Sequence, residues 1–301
     1  MSAVLLLGYN RPENLAQRIQ ELSANVPKHL YISIDRAESS EIRNAIKLVV
    51  EKSLDSYFDP SAVSIFFRDA RLGLSRHLQT AINTVLETEN KIIVLEDDIR
   101  IESSFVNQLT SGFETFSDDP KFGTVGGFSG VPIPFSGLNN YWRKTRYFSA
   151  WGWMTNVKTW ESYQLELPPG DINDQLRNSK SWMDLNRRQK EIWLHRFEKV
   201  RSNPDLTWDF QLQYLSFKLD LFNVLPLFRI CENVGFDDSR STNTKSPKPK
   251  WMQSDLVSTT TFRGSLPLTA SKILTNHIDS FTISGDSSLR QNINTVRRIL
   301  S

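Results

Sequence analysis

Three adjacent acids, Glu96, Asp97 and Asp98, are the residues of this chain whose types and spacing point most directly to chemistry. They follow residues 92–95, a continuous aliphatic run typical of a strand that is buried on both faces. Neighbouring carboxylates repel one another, and a core strand does not need them in order to fold. Two interpretations remain open. The acids could form a solvated turn that caps a helix suggested by residues 102–113, or they could hold a hard divalent cation, Mg²⁺ or Mn²⁺, that binds a diphosphate.

The first half of the chain alternates between strand and helix patterns. Strands are predicted at residues 4–9, 29–34, 63–67 and 92–95. Apolar residues at helical spacing follow the first three, at Leu15, Ile19 and Leu22, at residues 41–54, and at Leu74, Leu78, Ile82 and Val85. This alternation predicts an α/β protein with a parallel, doubly wound sheet. In such sheets ligands bind at the carboxyl ends of the strands, which is where the three acids fall.

A dinucleotide-binding domain is not expected. The first strand is not followed by Gly-x-Gly-x-x-Gly, and the chain contains no Gly-rich phosphate loop.

The second half is more aromatic and less regular. Strands are predicted at residues 122–128, at 147–155 with a bend at Gly152, and at 223–230, with helical regions at 171–201 and 206–221. Trp151 and Trp153 are expected to serve packing rather than sugar stacking. Residues 131–140 and 245–250 (KSPKPK) read as loops, and a tail over 251–301 ends in a basic helix.

Composition limits the partners and the compartment. A formal net charge of +2 predicts no nucleic-acid partner, because such partners usually require a clustered basic face. One cysteine, Cys231, excludes an internal disulfide and suits a reducing compartment. No stretch is long enough and apolar enough to predict an integral membrane segment or a secretory signal. We therefore expect a cytoplasmic protein, and peripheral attachment to a membrane remains open.

The order of several short motifs resembles that of a known enzyme group. The motifs are LLLGYNRPENL, YISIDR, LGLSRHLQTAINTVL, VLEDDI, YFSAWGWMTNVKTW and TWDFQLQY. From residue 4 to about residue 244 the chain resembles GT-A glycosyltransferases of the type that begins complex N-glycan synthesis (glycosyltransferase family 13) and its short bacterial relatives. The resemblance implies a GT-A fold, with a Rossmann-like, mostly parallel central sheet flanked by helices and a smaller, mixed acceptor-side region.

The resemblance also implies a division of the chain. Residues 1–244 would form the glycosyltransferase domain, with a nucleotide-binding half at 1–115 and an acceptor half at 116–244. Residues 245–301 would form a C-terminal tail with a lid loop and a terminal helix.

Eight residues take site roles by the same resemblance. Asp98 would bind the metal directly, and Asp209, in the Trp-Asp pair of TWDFQLQY, would be the catalytic base. The other six would contact the nucleotide-sugar donor: Arg11 the diphosphate, Asp35 the uracil, His77 the nucleotide, Glu96 and Asp97 the sugar and ribose, and Ser241 the donor from a later loop.

Without the resemblance, four of these residues have ordinary structural explanations. Asp35 could end a strand and cap the helix that follows. Arg11 could be a solvated turn residue, although a guanidinium fork suits phosphate. His77 lies beside an apolar helix stripe and could be structural. Asp209 could be an acid in the first turn of a helix, although partial burial there would raise its pKa toward that of a usable base.

The predicted function is that of a metal-dependent inverting glycosyltransferase. It would move a sugar, with GlcNAc implied by the resemblance, from a UDP-sugar to a hydroxyl of a glycan or glycolipid acceptor, on a bacterial surface glycan. Mn²⁺ or Mg²⁺ is the expected cofactor. Three alternatives are a non-catalytic protein of the same fold that binds nucleotide sugars or glycans, a retaining transferase, and a sugar-nucleotide pyrophosphorylase. The last normally carries a Gly-rich, lysine-bearing N-terminal loop, which this chain lacks.

Overall fold

The computed structural model describes residues 1–128, 141–227 and 229–241, with the single residues 244, 248, 256 and 279. The strands are β1 Ala3–Gly8, β2 Leu30–Ile34, β3 Val63–Phe67, β4 Lys91–Glu96, β5 Ile99–Ile101, β6 Phe122–Gly126, β7 Trp142–Thr145, β8 Trp153–Asn156, β9 Phe222–Pro226 and β10 Cys231–Asn233. The α-helices are α1 Pro12–Asn25, α2 Ser40–Tyr57, α3 Leu74–Leu86, α4 Phe105–Phe116, α5 Val157–Trp160, α6 Ile172–Leu176, α7 Lys180–Met183, α8 Arg187–Ser202 and α9 Asp209–Lys218.

An eight-stranded sheet organises the described part of the chain, in the order β3-β2-β1-β4-β8-β6-β9-β7. The first four of these strands are mutually parallel, and β8 and β7 run antiparallel to their neighbours. Leu7 near the end of β1 lies opposite Ser33 of β2 and Glu96 of β4, so these three strands end at one level. The predicted α/β class, with a mostly parallel central sheet flanked by helices and a smaller mixed region, is confirmed.

The two faces of the sheet are buried by different helices. Val4 and Leu6 of β1 face a cluster that includes residues of α1, α2 and α4, whereas Leu5 and Leu7 face one that includes residues of α3 and α9. This alternation follows from the two-residue period of a strand. All four side chains are 5% exposed or less, and each contributes about 1.5–3 kcal/mol by its burial. The buried sheet thus forms a rigid support for the loops at its carboxyl edge.

The interpretation of the three acids as a turn that caps a helix, one of the two left open, is wrong. Asp98 is followed by the short strand β5, which pairs antiparallel with β10, and α4 begins only after Ser104. Within β5, Ile99 and Ile101 are buried while Arg100 is exposed, as the period of a strand requires. Glu96 therefore ends β4, and Asp97 and Asp98 form the tight turn between β4 and β5.

The second half departs from the sequence predictions at several boundaries. The strand predicted at 147–155 is reduced to β8, because Gly152 adopts a φ of +59° just before it. The helix predicted at 206–221 begins at Asp209, after a 3₁₀ turn at Pro204–Leu206. The strand predicted at 223–230 ends at Pro226, and proline lacks the N–H that would extend the ladder.

Other differences concern short elements. The helical region predicted at 171–201 divides into α6, α7 and α8, which begin after the capping residues Asp171, Ser179 and Asn186. Strands β5, β7 and β10 were not predicted. The predicted loop at 131–140 and the predicted terminal helix lie outside the described residues. The same holds for the predicted loop at 245–250, apart from Lys248.

Asp279, from the predicted tail, is buried against the edge strand β7. Its carboxylate forms an ion pair with Arg143 at 2.8 Å and accepts a hydrogen bond from the Thr145 hydroxyl at 2.8 Å. Arg143 is itself buried, so the two charges neutralise each other where water does not reach them. Among the described residues, no helix has the length and apolar character needed to cross a bilayer.

We expect Gly152→Ala to destabilise the protein by about 2–5 kcal/mol. The left-handed backbone costs about 1–2 kcal/mol for a non-glycine residue, and overpacking typically costs about 1–3 kcal/mol more. The added Cβ would lie 2.8 Å from the Cζ atom of Phe105. Urea denaturation measures the loss. In a Phe105→Leu background the cost should fall to the backbone contribution alone, and an unchanged cost would show that the ring contact is not responsible.

Candidate active site

A cavity of about 410 Å³ opens at the carboxyl edge of β1, β2 and β4. Because these parallel strands end at one level, the loops that follow them converge there. Seven of the eight predicted site residues line this cavity: Arg11, Asp35, His77, Glu96, Asp97, Asp98 and Asp209. The eighth, Ser241, contacts Arg11 from the segment after β10. The structure therefore brings together residues that are separated by up to 230 positions.

Arg11 lies at the centre of the polar contacts in this cavity. It precedes Pro12, which begins α1, and its side chain is almost fully buried. Its Nη1 atom lies 2.9 Å from Asp97 Oδ1 and 3.4 Å from Asp98 Oδ2. Its Nη2 atom donates a hydrogen bond of 3.0 Å to Ser241 Oγ. A buried guanidinium requires such partners, and phosphate oxygens could take their place.

The segment Gly235–Ser241 covers Arg11 and the acids. Asp238 forms an ion pair with Arg11 Nε at 3.1 Å, and Arg240 in turn pairs with Asp238 and with Glu13 of α1. The backbone N–H of Val234, just before the segment, donates to the Asp98 carbonyl at 2.8 Å. Sequence reasoning missed Asp238 as a partner of Arg11. The contact spans 227 residues and has no local signal.

The three acids are held in an electrostatically unfavourable state. Burial raises the pKa of Asp97 to about 7, with a further increase from Asp98 and an opposing effect from Arg11. Burial, followed by the charges of Asp98 and Asp97, raises the pKa of Glu96 well above its usual range. Burial also raises the pKa of Asp98, against the lowering effect of Arg11. One guanidinium does not balance the buried carboxylate of Asp97 and the half-buried carboxylates of Glu96 and Asp98. A cation in the cavity would lower all three pKa values.

Asp35 and His77 form the neighbouring part of the cavity wall. The Asp35 carboxylate accepts hydrogen bonds of 2.9 Å from the backbone N–H groups of Arg36, Leu72 and Gly73, which fixes the loop before α3. His77 Nε2 lies 2.9 Å from the Ser33 hydroxyl. Both side chains thus have structural partners. The cap of α2 is nevertheless formed by Ser39, so the prediction that Asp35 could cap the helix after β2 is wrong. Asp35 and His77 also line the cavity, so their predicted nucleotide contacts stay predictions.

His77 should make stability depend on pH below neutrality. Burial lowers the pKa of His77 to about 4, whereas an unfolded histidine titrates near 6.5. The unfolded chain therefore binds a proton first, and the free energy of unfolding falls as the pH falls from about 6.5 to 4. Between pH 7 and 4.5 we expect wild type to lose about 2 kcal/mol relative to His77→Gln, measured by urea denaturation. A pH-independent difference would mean that the folded imidazole titrates normally.

Asp209 reaches the cavity from a separate element. It is the first residue of α9, half-buried beside the fully buried Trp208, and its Oδ1 accepts a hydrogen bond from the Thr207 hydroxyl. Burial raises the pKa of Asp209, and the Thr207 hydrogen bond limits the increase. The Asp209 charge also contributes to the raised pKa of Glu96. Asp209 and the acids after β4 are therefore close enough to interact across one cavity.

The charge of the lining suits a hard cation. Six carboxylates and three guanidinium groups line the cavity, a formal excess of three negative charges. Within the described ranges, no three His, Cys, Asp or Glu side chains are grouped so that they could enclose a metal ion by themselves. Mg²⁺-type ions are often held by one or two carboxylates together with substrate phosphates and water. The residues present therefore fit a metal that arrives with its phosphate ligand.

The molecule is thus an α/β protein with an acidic cavity at the carboxyl edge of its sheet, and comparisons with known proteins add only distant likenesses. No protein-family model and no curated protein matches the sequence. Among solved structures, S. aureus TarS is similar with a TM-score of 0.42 and 10% identity, over 97% of this chain. This chain spans 41% of the TarS chain.

A second solved structure is a putative glucose-1-phosphate thymidylyltransferase from Bacillus anthracis in complex with a sucrose. Its TM-score is 0.35 at 10% identity, over 58% of this chain and 80% of that one. Likenesses of this strength assign neither a family nor an activity.

Proposed function

We propose that this protein is a GT-A-type, metal-dependent, inverting glycosyltransferase that moves a sugar from a UDP-sugar to an acceptor hydroxyl. One observation carries the proposal. Arg11, the acids that end β4 and the half-buried Asp209 lie around the same cavity, at the edge of the sheet where α/β proteins bind ligands. This arrangement supports the proposal, because groups that could bind a diphosphate and a candidate base surround one substrate-sized space.

Arg11 is the proposed partner of the donor's diphosphate. Its fork is already oriented by Asp97 and Ser241, and it can offer two parallel N–H donors to phosphate oxygens. Asp238 now holds the Nε side of the same guanidinium. A bound diphosphate would lie beside this carboxylate, so donor binding would require Asp238 to move or to be balanced by a cation.

Asp98 is the residue that would hold Mn²⁺ or Mg²⁺. Its carboxylate is a hard oxygen ligand, next to Arg11 and beneath the Gly235–Ser241 segment. When bound, such an ion neutralises negative charge that develops on a leaving diphosphate. Glu96 and Asp97 would contact the sugar and ribose. Arg11 supplies a second positive charge that stabilises the leaving group.

Asp209 is the proposed general base. Its raised pKa, caused mainly by burial, makes it a stronger base than an exposed aspartate. The hydrogen bond from Thr207 orients the carboxylate. Asp209 would take the proton of the attacking hydroxyl as the new glycosidic bond forms and the diphosphate departs. A base opposite the leaving group gives one displacement, and therefore inversion at the anomeric carbon.

The proposed donor and acceptor follow from the resemblance of the sequence motifs. UDP-GlcNAc is the first donor to test, and a glycan or glycolipid of a bacterial surface is the proposed acceptor class. We propose that the enzyme transfers a hexosyl group in the cytoplasm, at or near the membrane surface, because such a location would suit both the UDP-sugar donor and the surface-glycan acceptor.

The experiment is a screen of UDP-sugars with Mn²⁺, Mg²⁺ or EDTA, read first by thermal shift and then by UDP release. We expect a UDP-sugar to raise the melting temperature only when a divalent ion is present, and UDP release to depend on the same ion. Binding without release in the presence of acceptor glycans would favour the non-catalytic alternative. No stabilisation by any UDP-sugar would contradict the proposal.

A further inference from the structure

Trp151 differs from every other tryptophan in the described ranges. Seven tryptophans fall there, and six of them are 5% exposed or less: Trp142, Trp153, Trp160, Trp182, Trp193 and Trp208. Trp151 alone is half-buried, and it lines the cavity. Its indole N–H makes no hydrogen bond within the described residues, although a buried indole usually finds a partner. Trp151 therefore borders the cavity although it also packs against the core, and no described residue uses its N–H donor.

The backbone around Trp151 is fixed from both sides. The Cys231 thiol donates to the Trp151 carbonyl at 3.2 Å, and Gly127 N–H donates to the Gly152 carbonyl at 2.7 Å. Gly152 adopts a φ of +59°, which turns the chain directly after Trp151. Phe128 contacts the indole at 4.5 Å between ring centroids, with the ring planes 69° apart. A side chain held in this way can bind a ligand at little cost in conformational entropy.

Ring contacts connect Trp151 to the segment over Arg11, the proposed diphosphate partner, and to the region of Asp209, the proposed base. On one side its ring meets Phe236 at 6.0 Å, in the Gly235–Ser241 segment that contacts Arg11. On the other side, Phe148 precedes Trp151 in the chain, and its ring centroid lies 5.5 Å from that of Trp208, the neighbour of Asp209. In an inverting transfer the donor sugar lies between the leaving diphosphate and the base. Trp151 lines the same cavity as Arg11 and Asp209, the residues proposed for those two groups.

We propose that Trp151 is a specificity-determining residue that stacks on the pyranose ring of the donor sugar. A pyranose has an apolar face of C–H groups, which packs well against a flat aromatic ring, and hydroxyl groups at its rim that can accept from the indole N–H. The inference rests on the proposed function, since it names the contact that this function's donor would make.

The experiment compares the affinity for UDP with the affinity for UDP-GlcNAc, UDP-glucose and UDP-galactose, by calorimetry in Mn²⁺. The wild-type protein should bind at least one of these UDP-sugars more tightly than it binds UDP. Trp151→Leu should weaken the affinity for that UDP-sugar about tenfold, which is about 1.4 kcal/mol. The affinity for UDP should stay within about twofold of the wild-type value. Trp151→Phe keeps a smaller aromatic ring, so its affinity for the UDP-sugar should lie between those of wild type and Trp151→Leu.

Trp160→Phe is the matched control, because Trp160 is buried away from the cavity and should leave the ratio of the two affinities unchanged. A purely structural role for Trp151 would weaken UDP and UDP-sugar together, and that result overturns the inference. An unchanged ratio, or a wild type for which no sugar adds affinity to UDP, also overturns it and leaves the proposed function standing. If wild type binds no UDP at all, the proposed function and the inference both fail.

Discussion

Asp209→Asn should lower kcat by about 10²–10⁴-fold, the usual contribution of a general base. Asparagine has the same shape and can still accept the Thr207 hydrogen bond, but it cannot take a proton. The donor's KM and the affinity for UDP should change little, because the loss concerns a group that acts in the transition state. Steady-state UDP release and calorimetry with UDP measure the two quantities separately.

The control for this variant is Asp171→Asn. Asp171 caps α6 through its side chain, and asparagine caps a helix as well as aspartate does, so neither stability nor rate should change. In wild type the rate should fall on the acid side of the pH profile, because a protonated base cannot act. Its midpoint should lie above the usual range of aspartate, because burial raises the pKa of Asp209. A variant with nearly full kcat would contradict the assignment of the base.

Asp98→Asn should abolish metal-dependent donor binding and reduce kcat/KM by at least about 100-fold. An ion that stabilises the leaving diphosphate contributes several kcal/mol, and every 1.4 kcal/mol is a factor of ten in rate. The amide keeps the size of the carboxylate but removes the charge that would attract the ion. The measurement is kcat/KM as a function of Mn²⁺ concentration.

Asp97→Asn separates the metal ligand from its neighbour. We expect this variant to lose activity without a change in the Mn²⁺ concentration that gives half of its own maximal rate, because Asp97 is assigned to the donor rather than to the ion. Asp98→Asn should also raise the melting temperature of the metal-free protein. Burial raises the pKa of Asp98, so its charge destabilises the folded state at neutral pH. Equal metal dependence in the two variants would contradict the assignment of Asp98.

The sequence predicted the strands and helices that support the cavity, for a physical reason. Strands β1 and β4 contain continuous aliphatic runs, and β2 and β3 are apolar apart from one serine each. The helices that follow β1, β2 and β3 have apolar residues at helical spacing. Parallel strands share a carboxyl edge, so residues just after β1, β2 and β4 must converge. The proximity of Arg11, Asp35 and the acids from Glu96 to Asp98 therefore follows from the strand order that the sequence pattern predicts.

The remaining part of the site depends on contacts that no local pattern encodes. Asp238 pairs with Arg11 across 227 residues, and its neighbours suggest only a turn. The half-exposed indole of Trp151 differs from the buried one of Trp153 because Gly152 reverses the backbone between them. The short strands β5 and β10 exist because they pair with each other, and three residues carry too little periodicity to predict either strand alone.

Anomalous diffraction from crystals that contain Mn²⁺ and UDP is the most direct measurement of the central claim, that the acids at the end of β4 bind a diphosphate through a cation. We predict a manganese peak that adjoins both the Asp98 carboxylate and the diphosphate, with Arg11 in contact with a phosphate oxygen. A manganese ion or a UDP molecule bound away from Asp98, or Asp98 turned out of the cavity in the complex, would contradict the account.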